Sequence, residues 1–151
     1  NALRPDEKEK KQEYLKTILG DAGENSVIEP NFFCDYGYNI EFKGFVYVNH
    51  NSVFLDCAKI KIGADTFIGP NCGFYTAIHP TDVDDRIAGK EWAKPITIGE
   101  KVWIGGNVVV LPGVTIGDRT VIGAGSVVTK DIPSDVVAVG NPCKVIRHLN
   151  K

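Results

Sequence analysis

Three histidines, His50, His79 and His148, are the side chains of this chain whose ordinary pKa of about 6.5 lets them take and return a proton near neutrality. His79 stands out by its place. It lies in FYTAIHPTD, residues 74–82, where a six-residue rhythm in the sequence breaks off, to resume only near PITIGE. A histidine at the root of a loop suits general acid-base work. His50 sits in VYVNHNS, and His148 falls in the tail, where a surface or partner contact is the plainer reading. Cys34, Cys57, Cys72 and Cys143 show no C-x-x-C spacing. Cys57 and Cys72 read as fillers, because free cysteines usually serve as small buried residues.

The elements that must hold these groups follow from the rhythm. In the frame that starts at Ile98, the first position of each six is Ile98, Ile104, Val110, Ile116, Ile122 and Val128, all β-branched. The fifth is Val102, Val108, Val114, Thr120, Ser126 and Ile132, and Gly99, Gly105, Gly117 and Gly123 follow first positions, where the chain must turn in little space. An amphipathic helix repeats its apolar face every 3.6 residues, so a period of six excludes one and predicts short strands separated by corners. Three sixes make a triangular coil, and stacked coils bury a shared interior while their two ends need covers.

Earlier residues keep the frame less well. Ile62, Ile68 and Phe74 lie on it, and Ile40 and Val46 also fall in step, whereas Ser52 and Asp56 do not, so Ile40 to Ile62 reads as distorted coils. Between Phe74 and Ile98 the sixes fail, and HPTDVDDRIAGKEWAKP has the prolines, glycine and charges of an exposed excursion. We place that loop at residues 80–94, within a β-helix domain of residues 21–151. Residues 1–20 read as a short charged helix with Tyr14, Leu15, Ile18 and Leu19 near one face and Gly20 as its stop, and such a helix is a candidate cover for one end.

Composition narrows the class. A chain of 151 residues with 43% apolar content supports one domain with one core. A net charge of -2 and a pI near 5.9 argue against broad binding to nucleic acid or anionic membranes. No apolar leader or spanning segment is evident, and with unpaired cysteines this makes a reducing, cytoplasmic setting the expectation.

The hexapeptide frame taken together with DYGYNI, FLDCAKIKIG, TAIHPTD, PITIGEKVWIGGNVVVLPGVTIG, IGAGSVVTKDIP and VGNPCKVIR resembles the maltose and galactoside O-acetyltransferases, hexapeptide-repeat enzymes of the left-handed parallel β-helix superfamily. The resemblance runs over nearly the whole chain. It implies an all-β, left-handed solenoid, a homotrimer with active sites between neighbouring subunits, acetyl-CoA as donor, a sugar as acceptor and no metal. Left-handedness comes from the resemblance alone, since crossovers between parallel strands generally run the other way. The resemblance also implies a helical segment ahead of Asn1 that brings a further sugar contact.

Residue by residue, the resemblance makes His79 the general base, with direct transfer and no acyl-enzyme, and matches neither Cys57 nor Cys72 to a nucleophile. Asn49 matches an asparagine that touches acceptor and histidine, and the Gly105-Gly106 turn supplies an oxyanion donor, from Gly106. Asp35 matches a polar position that meets sugar hydroxyls, which a carboxylate accepts well. Asp56 and Glu91 are further acceptor candidates. For the donor, Gly106, Ala124 and Gly125 line a narrow slot for the pantetheine arm, Thr129, Lys130, Lys144 and Arg147 form the polar end for its phosphates, and Trp103 matches a tryptophan near the groove.

Other readings lead elsewhere. A zinc enzyme on this fold needs three histidines at one metal, and His148 lies too far along the tail to join the others. A scaffold without activity has no need of His79, Asn49 and the basic cluster. Serine, amino sugars and antibiotics are acceptors that the repeat itself does not distinguish from a sugar.

Overall fold

In the computed structural model, which describes residues 1, 3, 4 and 6–149, the chain winds as a triangular prism of parallel strands. The first face stacks Ile40–Lys43, Ile60–Gly63, Ile96–Ile98 and Thr115–Ile116. The second stacks Val27–Ile28, Val46–Val48, Thr66–Ile68, Trp103–Ile104, Val121–Ile122 and Val136–Val139. Phe33–Cys34, Val53–Leu55, Gly73–Tyr75, Val109–Val110 and Val127–Val128 make the third. Side chains alternate across each strand, so each short strand sends one or two residues inward, β-branched in most and phenylalanine at Phe42, Phe54 and Phe74. Ile62, Ile68, Ile98, Ile104, Val110, Ile116, Ile122 and Val128 are all buried, as the frame predicts.

The frame of the early coils differs from the sequence expectation. Register pairs Ile40 with Ile60 and Phe42 with Ile62, so Phe42, not Ile40, occupies the first-position column. In the same way Val48 stacks on Ile68, and Val46 on Thr66. Ser52, which looked out of pattern, is fully buried beside Val53, in the part of the turn that Cys72, Val108 and Ser126 fill in later coils. The misstep has a local cause: two extra residues sit in the corner between Val53–Leu55 and Ile60–Gly63, and a six-residue count carried back across them lands two positions off.

The two ends of the prism differ. Helix α1, Lys8–Ile18, lies against the first coil, where Gln12 donates to the Ser26 carbonyl and Leu15 packs on the core, while Leu19 just beyond it is buried. Tyr14 and Ile18 stay exposed, so only part of the expected apolar face is used. At the other end the tail is ordered, as Lys144–His148 folds back antiparallel on Val136–Val139 and takes the outer edge of the second face. None of the described helices is long and apolar enough to cross a membrane.

Candidate active site

Three kinds of corner join the faces, and two of them hold the candidate residues. The corner between the second and third faces is built from four-residue turns: Asn49 to Ser52, Gly69 to Cys72, Gly105 to Val108 and Gly123 to Ser126. Stacking demands glycine at the head of the later turns. A Cβ on Gly69 would lie 2.6 Å from the Gly106 nitrogen, and one on Gly105 2.6 Å from the Ala124 nitrogen. Asn51, Asn71 and Asn107 hold the left-handed position of successive turns, where asparagine is tolerated, and Asn51 donates to the Asn71 side chain at 3.1 Å. The second residue of each turn differs in what it offers. The His50 N–H is taken by Asn49 Oδ1 at 2.8 Å, Pro70 has no N–H, and among the described residues the Gly106 N–H has no protein acceptor.

Asn49 is half-buried, with its backbone N–H on the Ile68 carbonyl and its side-chain oxygen engaged by His50, which leaves its amide hydrogens to donate outward. Gly106, Ala124 and Gly125 share this corner, and small residues there leave room for a slender chain to pass close to the backbone. Trp103 stands on the adjoining second face, 60% exposed, in register with Phe67 and Val121. Lys144 and Arg147 lie on the exposed return strand of the same face.

The corner between the third and first faces carries the other set. Its excursion begins at Ala77–Ile78, which pairs antiparallel with Trp92–Ala93, so the protrusion has a stem; it also contains a short helix α2, Val83–Ile87, that composition did not reveal. Thr76, fully buried, locks the root: its hydroxyl donates to the Leu55 carbonyl and accepts from the Ala58 N–H, and its carbonyl accepts from the Lys94 N–H. Asp82 caps α2 through the Asp85 N–H at 3.0 Å, Arg86 donates to the Pro80 carbonyl at 2.9 Å, and Lys90 pairs with Asp85. His79 leaves this braced stem exposed to solvent.

Below the loop lies Asp35, exposed, at the head of a turn shaped by Asp56. The Asp56 carboxylate is fully buried and accepts the N–H groups of Asp35, Tyr36 and Gly37 at 3.0, 2.9 and 2.8 Å. Asp56 is therefore corrected from acceptor contact to turn former, since its oxygens are committed to the backbone and shielded from any ligand. Asp35, Cys57 and Glu91 meet at one point, with the Cys57 sulfur 3.5 Å from Asp35 Oδ2 and 3.9 Å from Glu91 Oε1. No signal in the sequence had linked Cys57 to these carboxylates. Thr129 and Lys130 also fall at this corner, after Val127–Val128, and so stand apart from Gly106 and Ala124 on the same chain.

All four thiols are pushed up from their ordinary pKa, by burial before any other cause, with Asp35, Glu91 and Asp56 adding to the effect at Cys57. A thiolate is the form that attacks an acyl group, so this environment disfavours an acyl-cysteine route. The three histidines do not converge: His50 lies at the glycine-headed corner, His79 on the loop and His148 on the return strand. Among the described residues no group of His, Cys, Asp and Glu gathers to hold a metal ion.

A solenoid of this pattern, with a histidine on a braced loop and glycine-rich turns open to a slender ligand, defines a hexapeptide-repeat acyltransferase. Residues 95–130 match the family model of the bacterial transferase hexapeptide (six repeats), and residues 59–86 that of the hexapeptide repeat of succinyl-transferase. The galactoside O-acetyltransferase of Escherichia coli is 45% identical over 150 residues, covering 99% of this chain and 74% of that protein. A maltose O-acetyltransferase from Clostridium difficile superposes with a TM-score of 0.98 at 48% identity, over 100% of this chain and 81% of the other. A hexapeptide-repeat acetyltransferase of Vibrio cholerae, solved with acetyl coenzyme A, superposes at 0.93 with 41% identity, over 98% and 80% of the two chains. The chain belongs to the galactoside and maltose O-acetyltransferase family, and it is an acetyl-CoA-dependent acetyltransferase of that type with the family's left-handed parallel β-helix.

Proposed function

We propose that the protein transfers an acetyl group from acetyl-CoA to a hydroxyl of a maltose-, glucose- or galactoside-type sugar, in sites completed between neighbouring copies of a homotrimer. One observation carries this reading. His79, Asp35 and Glu91 lie at the corner between the third and first faces, whereas Asn49 and Gly106 lie at the corner between the second and third. A strand of three residues separates the two, about 10 Å at roughly 3.3 Å per residue. A second prism set alongside brings its glycine-headed corner to the loop of the first. The same pairing joins Thr129 and Lys130 of one copy to Gly106, Ala124, Gly125, Trp103, Lys144 and Arg147 of the next, making one donor groove from two incomplete halves.

In this arrangement His79 removes the proton from the acceptor hydroxyl as its oxygen attacks the thioester carbonyl. The Gly106 N–H, which has no acceptor among the described residues, faces the negative oxygen of the tetrahedral intermediate. Collapse expels the coenzyme A thiolate, which takes the proton from His79, so the histidine ends as it began. Asn49 donates its amide hydrogens to the acceptor, and Asp35 and Glu91 accept from neighbouring hydroxyls. The resemblance, the loop geometry and the raised thiols all favour direct transfer over an acyl-enzyme, and the site is placed in the cytoplasm, where acetyl-CoA is made available.

Mixing tests the arrangement. His79→Ala and Asn49→Ala are each expected to be inactive alone, and refolding or co-expressing them together restores about a quarter of the sites, since each interface then has one chance in four of drawing both intact residues. A mixture as dead as its parents places both residues in one chain's site and overturns the trimeric reading. Thiol release from acetyl-CoA with maltose, glucose, a galactoside, serine and chloramphenicol identifies the acceptor, and release with serine or chloramphenicol alone overturns the sugar.

A further inference from the structure

The thiol at the loop corner has a place that the transfer chemistry does not use. We infer that Cys57 is a positioning residue for the acceptor: it holds Asp35 in place with its S–H and draws Glu91 of the loop to the same point. The inference rests on the reading of Asp35 and Glu91 as acceptor contacts. Three segments meet here that are far apart in the chain, the turn after Phe33–Cys34, the corner after Val53–Leu55 and the end of the excursion.

The chemistry of the cluster is specific. A thiol has one hydrogen, so at any moment it donates to one carboxylate. The 3.5 Å contact makes Asp35 the resting acceptor and the 3.9 Å contact makes Glu91 the alternate. Burial and the surrounding carboxylates hold the sulfur in its protonated, donating form. Among the described residues neither Asp35 nor Glu91 takes part in an ion pair, so no cation separates the two negative charges. With the thiol removed, no donor bridges the two carboxylates, and their repulsion turns the Glu91 side chain away from Asp35 while the stem at Trp92–Ala93 stays paired.

Asp35 is thus fixed twice. Asp56 sets its backbone from inside the coil, and Cys57 sets its carboxylate from outside. The result is a pair of acceptor groups a few ångströms apart on one edge. Such an edge suits a ligand with adjacent hydroxyl donors, each of which meets one carboxylate. The sulfur itself stays half-buried behind them and serves geometry rather than chemistry.

Two measurements test this on the intact protein. In steady state with maltose as acceptor, Cys57→Ala is expected to raise KM for maltose about 3- to 10-fold, the size of one modest hydrogen bond, and to leave kcat and KM for acetyl-CoA within about twofold. Cys57→Ser, which restores a donor, brings KM for maltose back to within about twofold of the parent. An unchanged KM in Cys57→Ala, an equal loss toward both substrates, or a serine variant no better than alanine overturns the role. The second measurement needs no turnover. Iodoacetamide labelling of Cys57, followed by peptide mass spectrometry across pH 7 to 9, is expected to run about 3- to 10-fold faster in Asp35→Asn than in the parent, with a smaller gain in Glu91→Gln. Labelling that ignores Asp35 removes the contact on which the inference stands. A parent enzyme that labels as expected yet acetylates no sugar defeats the acceptor reading, and the positioning role with it, while leaving the contact intact.

Discussion

Two corners of the same prism behave in opposite ways. Between the second and third faces every coil spends six residues from one buried column to the next: Ile28 to Cys34, Val48 to Phe54, Ile68 to Phe74, Ile104 to Val110 and Ile122 to Val128. Between the third and first faces the count is not fixed: eight from Cys34 to Phe42 and from Phe54 to Ile62, 24 from Phe74 to Ile98 and six from Val110 to Ile116. The regular corner is locked by backbone packed on backbone, with no room for a Cβ at the head of its later turns. The irregular one is held by side chains, Asp56 and Thr76 above all, and a fold that delegates a corner to side chains can lengthen it without disturbing the core. The regular corner therefore offers a rigid backbone donor, and the irregular one offers the histidine and carboxylates of a loop.

The sharpest way to break this division is at His79. His79→Ala is expected to lower turnover by roughly 10² to 10⁴ with the assembly and thermal stability unchanged, read by thiol release and size-exclusion chromatography. Turnover within a few-fold of the parent removes the histidine from the mechanism. Next in size is Asp56→Ala, which leaves the N–H groups of Asp35, Tyr36 and Gly37 without their acceptor. About 3 kcal/mol of stability is expected to be lost in urea denaturation, from about 1–3 kcal/mol per buried unpaired group with partial relaxation. Stability equal to the parent's denies that side chains hold the loop corner.

At the regular corner Gly105→Ala forces a Cβ to within 2.6 Å of the Ala124 nitrogen, and overpacking of this kind is expected to cost about 1–3 kcal/mol. A neutral result by thermal melting shows that the turns have slack. The smallest effect belongs to the outer surface of the first face. There Glu41 bridges Lys59 and Lys43, and hydrogen bonds from those two ammonium groups pull its carboxyl down to about 2. A carboxyl lowered on folding stabilises the protein above its unfolded pKa near 4.5 and loses that contribution as pH falls toward 2. Glu41→Gln is therefore expected to cost at most about 1 kcal/mol at pH 7, given solvent screening, and nothing near pH 2. A variant that melts like the parent at pH 7 shows that the bridge contributes no stability.

Much of this was legible beforehand where geometry repeats. The frame from Ile98 to Val128 and the break at His79 follow from spacing alone, because in these later coils every first-position residue is β-branched and buried. The early coils misled the count at Asp56 to Lys59, since two inserted residues leave no mark in composition. Ser52 looked foreign to a core because its type is polar, yet Ser26 and Ser126 share its burial, and among the described residues no buried side-chain polar atom lacks a partner. Asp56 read as a ligand contact for the related reason that a carboxylate is usually exposed, and nothing along the chain reveals three backbone N–H groups waiting for it.

The sequence by itself determined the solenoid, its helical cover, the site of the excursion and the histidine at its root, because each is a property of residues near one another in the chain. Only the tertiary structure decided that Asp35, Cys57 and Glu91 share a point, that Asp56 faces inward, and that Asn49 and His79 belong to different edges. Those facts depend on which coil lies over which, and that register is set by the length of every corner between them, a sum that local pattern cannot supply.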